Sequence, residues 1–510
     1  MRLPTGRHFA VTWGIPDSYG GMTTALLQRS RAFARLAGTP VDVLTFDARP
    51  DYEDVRARLR ERGELAEGVR LLNLYDWLRE HRLPGGSLRL DRDVFTPLAE
   101  ERRASRDASR SRFRDVSPSA ALLNQRYAAD GTVLQVDHYR ADGTLVLSDR
   151  RDARDRGRLG GRSIVLCDER GVPVRSWARI HHLYRAWLDA LTAKQPSFVI
   201  VDSKTSANFM LDYRRRHVVT AHVVHNSHLA RHDEPLGDVR ESRRAVFERL
   251  DAFDIVALLS ERQRRDVIAL RGDHPGLSVI ANPRAAVRPG ANRRGSDGIV
   301  LASLTARKRV EHAIGVAARS GVGLDVFGDG DRADAVRAAV PAHAAHRIRL
   351  HGHRPDAREH LPRASFLLQT GSSEGFPLVL AEAMAAGTIP IAYDVPYGPA
   401  DLIDNGRNGL LVPSGDTDAL AAAVTRLATL PPGRLARMRR AARRTAHAYS
   451  ERAVVEAWAT AFQHALERRA RVRAGQASPR SIAIALATRR ARVSSAFASV
   501  IARACSLRWL

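Results

Sequence analysis

The sequence predicts an α/β protein of two doubly wound halves, the first interrupted by an antiparallel β-rich insertion. Three observations carry this. Strand-type apolar runs alternate with helical stretches near the start and again from about residue 181. A second strand–helix series opens at Gly298, after a Gly- and Arg-rich stretch at 289–298 that reads as an interdomain linker. Between about 75 and 180 the alternation gives way to hairpin signals.

Each element has a local reason. Residues 9–13 form a short apolar strand, 14–21 a turn-forming stretch, and Met22 opens a helix to about Ala37; 41–46 is the next strand. Residues 132–139 and 144–147 alternate about an Ala141-Asp142-Gly143 turn, and 163–167 and 172–177 flank a second glycine turn. This region reads as an insertion or a separate module. The continuous apolar runs at 198–202, 218–224, 254–259 and 277–280 suit strands buried on both faces. The second series places strands at 298–302, 323–327, 348–351, 364–369 and 389–393, and helices at 416–429 and 433–470. No repeat of 20–50 residues is visible.

Composition narrows the class. The 510 residues are 44% hydrophobic, ample for real cores, with no run of 18 apolar residues to span a membrane. The first residues lack an apolar core and a cleavage site, so no secretory signal is expected. The two cysteines, Cys167 and Cys505, define neither a disulfide framework nor a zinc site. The net charge of +25 fits an anionic partner, yet only Lys194, Lys204 and Lys308 are lysines among 81 basic residues, which reads equally as a composition bias. Residues 100–115 are crowded with arginine and serine. The tail at 475–510 carries six arginines and no acid among apolar residues, fitting either a basic amphipathic helix on anionic lipid or a solvated tail.

The stretch from Ser372 to Gly387 carries the chemistry. Pro377 suits the first turn of a helix and Gly387 its end. Backbone N–H groups near Phe376, Leu378 and Val379 then stand free at a positive helix start, a place for a diphosphate. Glu374 precedes the helix, placed to accept hydrogen bonds from hydroxyls. Glu382 lies eight residues on; a helical rise of about 12 Å exceeds the roughly 5–10 Å of a hydrolase carboxyl pair and suits two ends of one extended ligand. A plain amphipathic helix with surface glutamates is the other reading. His222, His225 and His228 are spaced H-x2-H-x2-H along a strand and its exit, where three rings do not converge on one metal, and there is no HExxH helix. Gly328-Asp329-Gly330 is not the fingerprint of a dinucleotide enzyme.

The Glu374-x7-Glu382 spacing, followed by a strand and then by Asp404-Asn405-Gly406-Arg407-Asn408-Gly409, resembles the C-terminal half of GT-B glycosyltransferases of family 4. That resemblance implies two Rossmann-like domains facing a cleft and retention of anomeric configuration, with a UDP-sugar as donor and no metal or other cofactor. It assigns Glu374 to donor-sugar hydroxyls, Glu382 to the nucleotide ribose, Lys308 to the diphosphate and His225 to the donor sugar or to positioning. Gly20 and Gly21 match the family's phosphate-facing loop, and Gly328 a loop on the nucleotide side. Where the family has an arginine five residues before the lysine, this chain has Ser303, leaving Arg307 or Arg309 to substitute.

Within the family, the Gly20-Gly21-Met22-Thr23 start, the insertion and the loop from Asp394 to Ile403 are similar to wall-teichoic-acid (poly(polyol-phosphate)) α-glycosyltransferases and to the transferases of serine-rich adhesins, over about residues 8–470. The implied partition is 1–74 and 181–285 for the N-terminal domain, 75–180 for an acceptor or oligomerisation insertion, 286–445 for the nucleotide-sugar domain, 446–474 for a helix crossing back, and 475–510 for the tail. The expected function is transfer of glucose or N-acetylglucosamine to a hydroxyl of a cell-envelope acceptor, an anionic polymer or a glycan or protein. The setting is cytoplasmic, with possible homo-oligomers and peripheral contact with the membrane's inner face. A protein O-glycosyltransferase and an impaired transferase-like scaffold are the alternatives. No nucleic-acid-binding motif is present.

Overall fold

A computed structural model describes residues 2–83, 122–127, 131–153, 159–231, 236–287 and 297–475. The arginine- and serine-rich run at 100–115, most of the 289–298 linker, Cys505 and all but the first residue of the basic tail lie outside the described residues. The chain divides into two compact units, Met1–Ala459 and Thr460–Leu510. All three sheets belong to the first.

The first sheet has seven parallel strands: β1 (Arg7–Val11), β2 (Val41–Thr45), β3 (Val69–Asn73), β9 (Ser197–Val201), β10 (Val218–Val224), β11 (Ile255–Leu258) and β12 (Leu277–Val279). Their order is β12-β11-β10-β9-β1-β2-β3. β1, β2, β9, β10 and β11 are almost wholly buried, as expected for a parallel sheet covered by helices on both faces. Helices α1 (Gly21–Ala37), α2 (Tyr52–Glu61), α3 (Leu74–Glu80), α4 (Ile180–Thr192), α5 (Lys204–Met210), α6 (Glu241–Phe247) and α7 (Glu261–Arg271) connect them. From β1 the chain runs outward one way through β2 and β3, then returns to β9 on the other side of β1. The switch point therefore lies between the carboxyl ends of β1 and β9, where such sheets take ligands.

Between α3 and α4 sits a five-stranded antiparallel meander: β4 (Leu123–Tyr127), β5 (Val133–Tyr139), β6 (Leu145–Ala153), β7 (Leu159–Cys167) and β8 (Pro173–Trp177). β4 is an addition to the sequence reading, because Leu-Asn-Gln-Arg-Tyr has little apolar alternation. The meander is not a separately packed module. Val146, Leu147, Ile164 and Leu166 share one core with Leu74, Leu78, Tyr184 and Trp187. His138 stacks on Tyr75 at 4.1 Å, and Arg79 donates to the carbonyl of Tyr139 at 2.9 Å.

The second parallel sheet runs β15-β14-β13-β16-β17-β18. Its strands are β13 (Gly298–Leu301), β14 (Leu324–Phe327), β15 (Ile348–Gly352), β16 (Phe366–Gln369), β17 (Ile389–Asp394) and β18 (Leu410–Pro413). Helices α8 (Val310–Ser320), α9 (Ala333–Ala338), α10 (Leu378–Ala386), α11 (Pro399–Leu402) and α12 (Thr417–Ala428) pack around it. Its switch point lies between β13 and β16. The single helix expected at 433–470 is two, α13 (Pro432–His447) and α14 (Glu451–Arg473). Ser450 breaks it by accepting the Ala453 N–H on its hydroxyl at 3.3 Å, a fresh N-cap. Glu451 then meets Arg35 and Gln28 of α1, and Trp458 lies under Arg29 at 5.5 Å. Among the described residues no helix is long and apolar enough to cross a membrane.

Candidate functional site

The two switch points put the expected residues on facing loops. After β13 the chain makes a tight turn over Ala306–Lys308. After β16 it runs through Thr370 to Pro377 into α10. The loops are stitched together: Thr370 donates its hydroxyl to the Lys308 carbonyl at 2.8 Å, and Ser372 its N–H to the Arg307 carbonyl at 2.9 Å. Lys308 Nζ is thereby held against Glu374 Oε1 in an ion pair. Arg307 reaches the same carboxylate at 3.5 Å and donates to the Ser373 carbonyl at 2.6 Å. Of the two arginines left to replace the one missing at Ser303, Arg307 faces the site. Arg309 Nη1 lies 3.5 Å from where a Cβ on Gly415 would be, away from the site.

Two details of the α10 start differ from expectation. Pro377 is the N-cap, with φ −79° and ψ 87°, and Leu378 is the first helical residue. The Leu378 N–H is turned back onto the Phe376 carbonyl at 3.0 Å, so it is not a free donor; tightening of the chain before the helix spends it. Phe376 is buried against Tyr449 with ring centroids 5.1 Å apart, while Val379 is partly exposed. Glu382 is no surface glutamate. It is 1% exposed and takes the Nε of Arg358 on both oxygens, at 3.0 and 2.9 Å. Burial raises its pKa, opposed by Arg358 and by a hydrogen bond from the backbone of Ala285.

The glycines divide by physical cause. A Cβ on Gly20 would meet nothing within 4 Å, and one on Gly21 only Leu378 Cδ1 at 3.9 Å. The loop thus opens onto the start of α10. Gly328 serves the backbone instead: at φ +150° its Cβ would lie 1.8 Å from the Ala302 carbonyl oxygen. The reason for glycine there is strand packing, and any ligand contact is additional. Gly375 is a requirement that the sequence did not reveal, since a Cβ there would sit 1.9 Å from the carbonyl oxygen of His225. The backbones of the two domains touch at that point.

On the N-terminal side a buried network emerges that sequence reading missed. Arg29 of α1 grips Asp202, just past β9, through two bonds of 2.9 and 2.7 Å. Asp202 also receives His225 Nε2 at 2.7 Å, and His225 Nδ1 lies 3.4 Å from the Asn282 amide nitrogen. Burial would raise the Asp202 pKa, but the Arg29 charge and the His225 hydrogen bond bring it down to about 2. Both His225 nitrogens are engaged, which suits positioning better than a direct bond to sugar. The other histidines of the trio diverge. His222 bonds the Val201 carbonyl at 2.9 Å, and His228 stacks between Phe247 and Tyr397 at 5.1 and 5.6 Å. Burial lowers both pKa values to about 4.

A cavity of about 380 Å³ lies beside these groups, with Met22, Lys204, His225, Arg243, Arg307 and Ser373 in its wall. Gly21, Lys308 and Glu374 do not themselves line it; their chain neighbours do.

Two α/β halves meeting at their switch points, with a cation–carboxylate pair before a buried helix, define a protein of the GT-B fold. Residues 296–429 match the family described as glycosyl transferases group 1. The chain is 20% identical over 445 residues to the poly(ribitol-phosphate) alpha-N-acetylglucosaminyltransferase of Staphylococcus aureus, covering 80% of this chain and 90% of that one. It is 35% identical over 188 residues to an exopolysaccharide phosphotransferase of Streptomyces coelicolor, a match that spans only 20% of that protein's length. The crystal structure of the pneumococcal O-GlcNAc transferase GtfA in complex with UDP and GlcNAc superposes with a TM-score of 0.65 at 18% identity, covering 90% of this chain and 99% of that one.

Proposed function

We propose that this chain is a retaining glycosyltransferase of family 4 that moves glucose or N-acetylglucosamine from a UDP-sugar to a hydroxyl of a cell-envelope polyol-phosphate polymer. The observation that carries the reading is the meeting of Lys308, Arg307 and Glu374 at the mouth of α10, opposite the open Gly20–Gly21 loop. Two cations fixed at a helix start stabilise a departing diphosphate. Glu374 lies among them, placed to take sugar hydroxyls, and Glu382 takes the nucleotide ribose farther along the same helix when Arg358, which now holds both its oxygens and is itself solvent-exposed, yields one of them. The acceptor hydroxyl attacks C1 from the face the UDP leaves. The bond from C1 to the diphosphate oxygen breaks, and that oxygen takes the acceptor's proton. His225, steered by Asp202, orders the reacting groups. With Lys308 and Arg307 supplying positive charge, the reaction needs no metal. The polymer acceptor is favoured by the similarity to the Staphylococcus aureus transferase over most of both chains. The UDP donor is favoured by the UDP complex of GtfA. UDP-sugars point to a cytoplasmic setting.

Turnover of UDP-glucose and UDP-N-acetylglucosamine with poly(ribitol-phosphate), poly(glycerol-phosphate) and peptide acceptors tests this, in the wild type and in Lys308→Ala and Glu374→Gln. Loss of about 100-fold or more in kcat is expected for Lys308→Ala, the scale of removing one preorganised transition-state donor. Near-normal rates in both variants overturn the assignment. A second reading, a protein O-glycosyltransferase, gains if only peptide acceptors turn over.

A further inference from the structure

We propose that the cavity beside the His225–Asp202 pair is an acceptor subsite that binds a phosphate group of the polyol-phosphate chain. This deepens the polyol-phosphate glycosyltransferase reading and rests on it. Four cationic side chains line the cavity: Lys204, Arg240, Arg243 and Arg307. Asp202 is the one carboxylate in the wall among the described residues, and Arg29 already neutralises it through two hydrogen bonds. Arg307 is shared with Glu374, so the net positive charge of the wall rests on Arg243 and the exposed Lys204.

Arg243 makes the need for an anion specific. It is 8% exposed and, among the described residues, makes no hydrogen bond or ion pair with its guanidinium. A buried cation without a partner is costly, and proteins rarely keep one unless a counter-charge visits it. Burial, with the nearby Arg240, lowers its pKa to about 10, the same penalty seen from the proton's side. Ser242, Ser227, Thr205 and Asn226 add neutral donors to the same wall. Guanidinium groups with several hydroxyls suit the many acceptor oxygens of a phosphate.

Position separates this anion from the donor's. The cavity is walled mainly by the loops after β9 and β10 and by the first turn of α6, all in the N-terminal domain. The donor diphosphate is assigned to Lys308 and the start of α10, across the cleft. Arg307 and Ser373 are the points where the two walls meet. A phosphate seated on Arg243 holds the next polyol unit beside His225, with its hydroxyl directed at the sugar.

The test compares wild type, Arg243→Gln and Lys204→Met by calorimetric titration with glycerol 3-phosphate, glycerol, inorganic phosphate and UDP. The exposed Lys204 keeps the test open if Arg243→Gln fails to fold. The expected result is a Kd for glycerol 3-phosphate raised about tenfold or more in Arg243→Gln and several-fold in Lys204→Met. The UDP Kd stays within about twofold, and the KM for poly(glycerol-phosphate) rises in parallel with the glycerol 3-phosphate Kd. Equal weakening of UDP overturns the proposal by moving the cavity to the donor site. Unchanged glycerol 3-phosphate binding in both variants also overturns it. So does inorganic phosphate binding as tightly as glycerol 3-phosphate with no change in acceptor KM. Wild type that binds glycerol 3-phosphate through Arg243 yet transfers no sugar would defeat the glycosyltransferase reading and leave the anion site standing.

Discussion

Replacing Asp202 by Asn removes one charge from the centre of the N-terminal domain and little else. The side chains of Arg29 and Asp202 are 3% and 0% exposed, joined by two short bonds. Asn fits the same space and still offers one oxygen, but Arg29 is left with no full counter-charge. Breaking a buried pair by losing one partner costs about 3–5 kcal/mol. In a domain of 150–250 residues each kcal/mol moves the midpoint by about 2–4 °C, so the first melting transition should fall by roughly 6–20 °C. The pH dependence has a definite sign. The Asp202 carboxyl, held at about 2 in the fold and near the ordinary aspartate value of 3.8 when unfolded, contributes stability above about pH 4 and loses it as the pH falls from there toward 2. That acid limb should shrink in Asp202→Asn. Arg29→Met added to Asp202→Asn should recover much of the loss, because it removes the orphaned cation while keeping bulk against Trp458. Scanning calorimetry at several pH values checks all three points. A midpoint shift under about 2 °C, or a double variant worse than Asp202→Asn, would refute the reasoning.

The two glycine loops should respond oppositely to the same change. Gly328→Ala drives a methyl into the Ala302 carbonyl and should cost about 4 kcal/mol or more, read by melting; Gly21→Ala has room, so it should melt like wild type while donor turnover drops. Buried His138, His222 and His228, with pKa values lowered to about 3, 4 and 4, stay neutral in the fold but take protons near 6.5 when unfolded. The unfolded state then binds more protons, so stability is full above about pH 6.5 and drains as the pH falls toward 4; a flat midpoint between pH 7 and 4.5 would contradict this. Prolonged dialysis against EDTA should leave sugar transfer unchanged, and a rate restored only by added divalent metal would show that Lys308 and Arg307 do not carry the leaving-group charge alone.

Local pattern alone gave most strands of both parallel sheets, though neither β3 nor β18, together with the two hairpins of the insertion and the loop–helix stretch from Ser372 to Gly387. These follow from side-chain period, turn residues and helix ends, all written within a dozen neighbouring positions. Glu374 was readable from its own loop–helix motif, and Lys308 from the family resemblance and from being one of three lysines among 81 basic residues; that the two pair was not. The tertiary structure decided what those positions touch. Arg29 and Asp202 are 173 residues apart in the chain and meet only because β9 returns beside β1 after the insertion. Arg358 finds Glu382, and the backbone of His225 presses on Gly375, through packing that no local spacing encodes. Gly328 looked like a ligand loop in sequence, whereas its neighbour is the Ala302 carbonyl oxygen. Local free energies select the elements; the partners of a buried charge or a crowded glycine depend on which distant segments share a core, and that is fixed only when the whole chain packs.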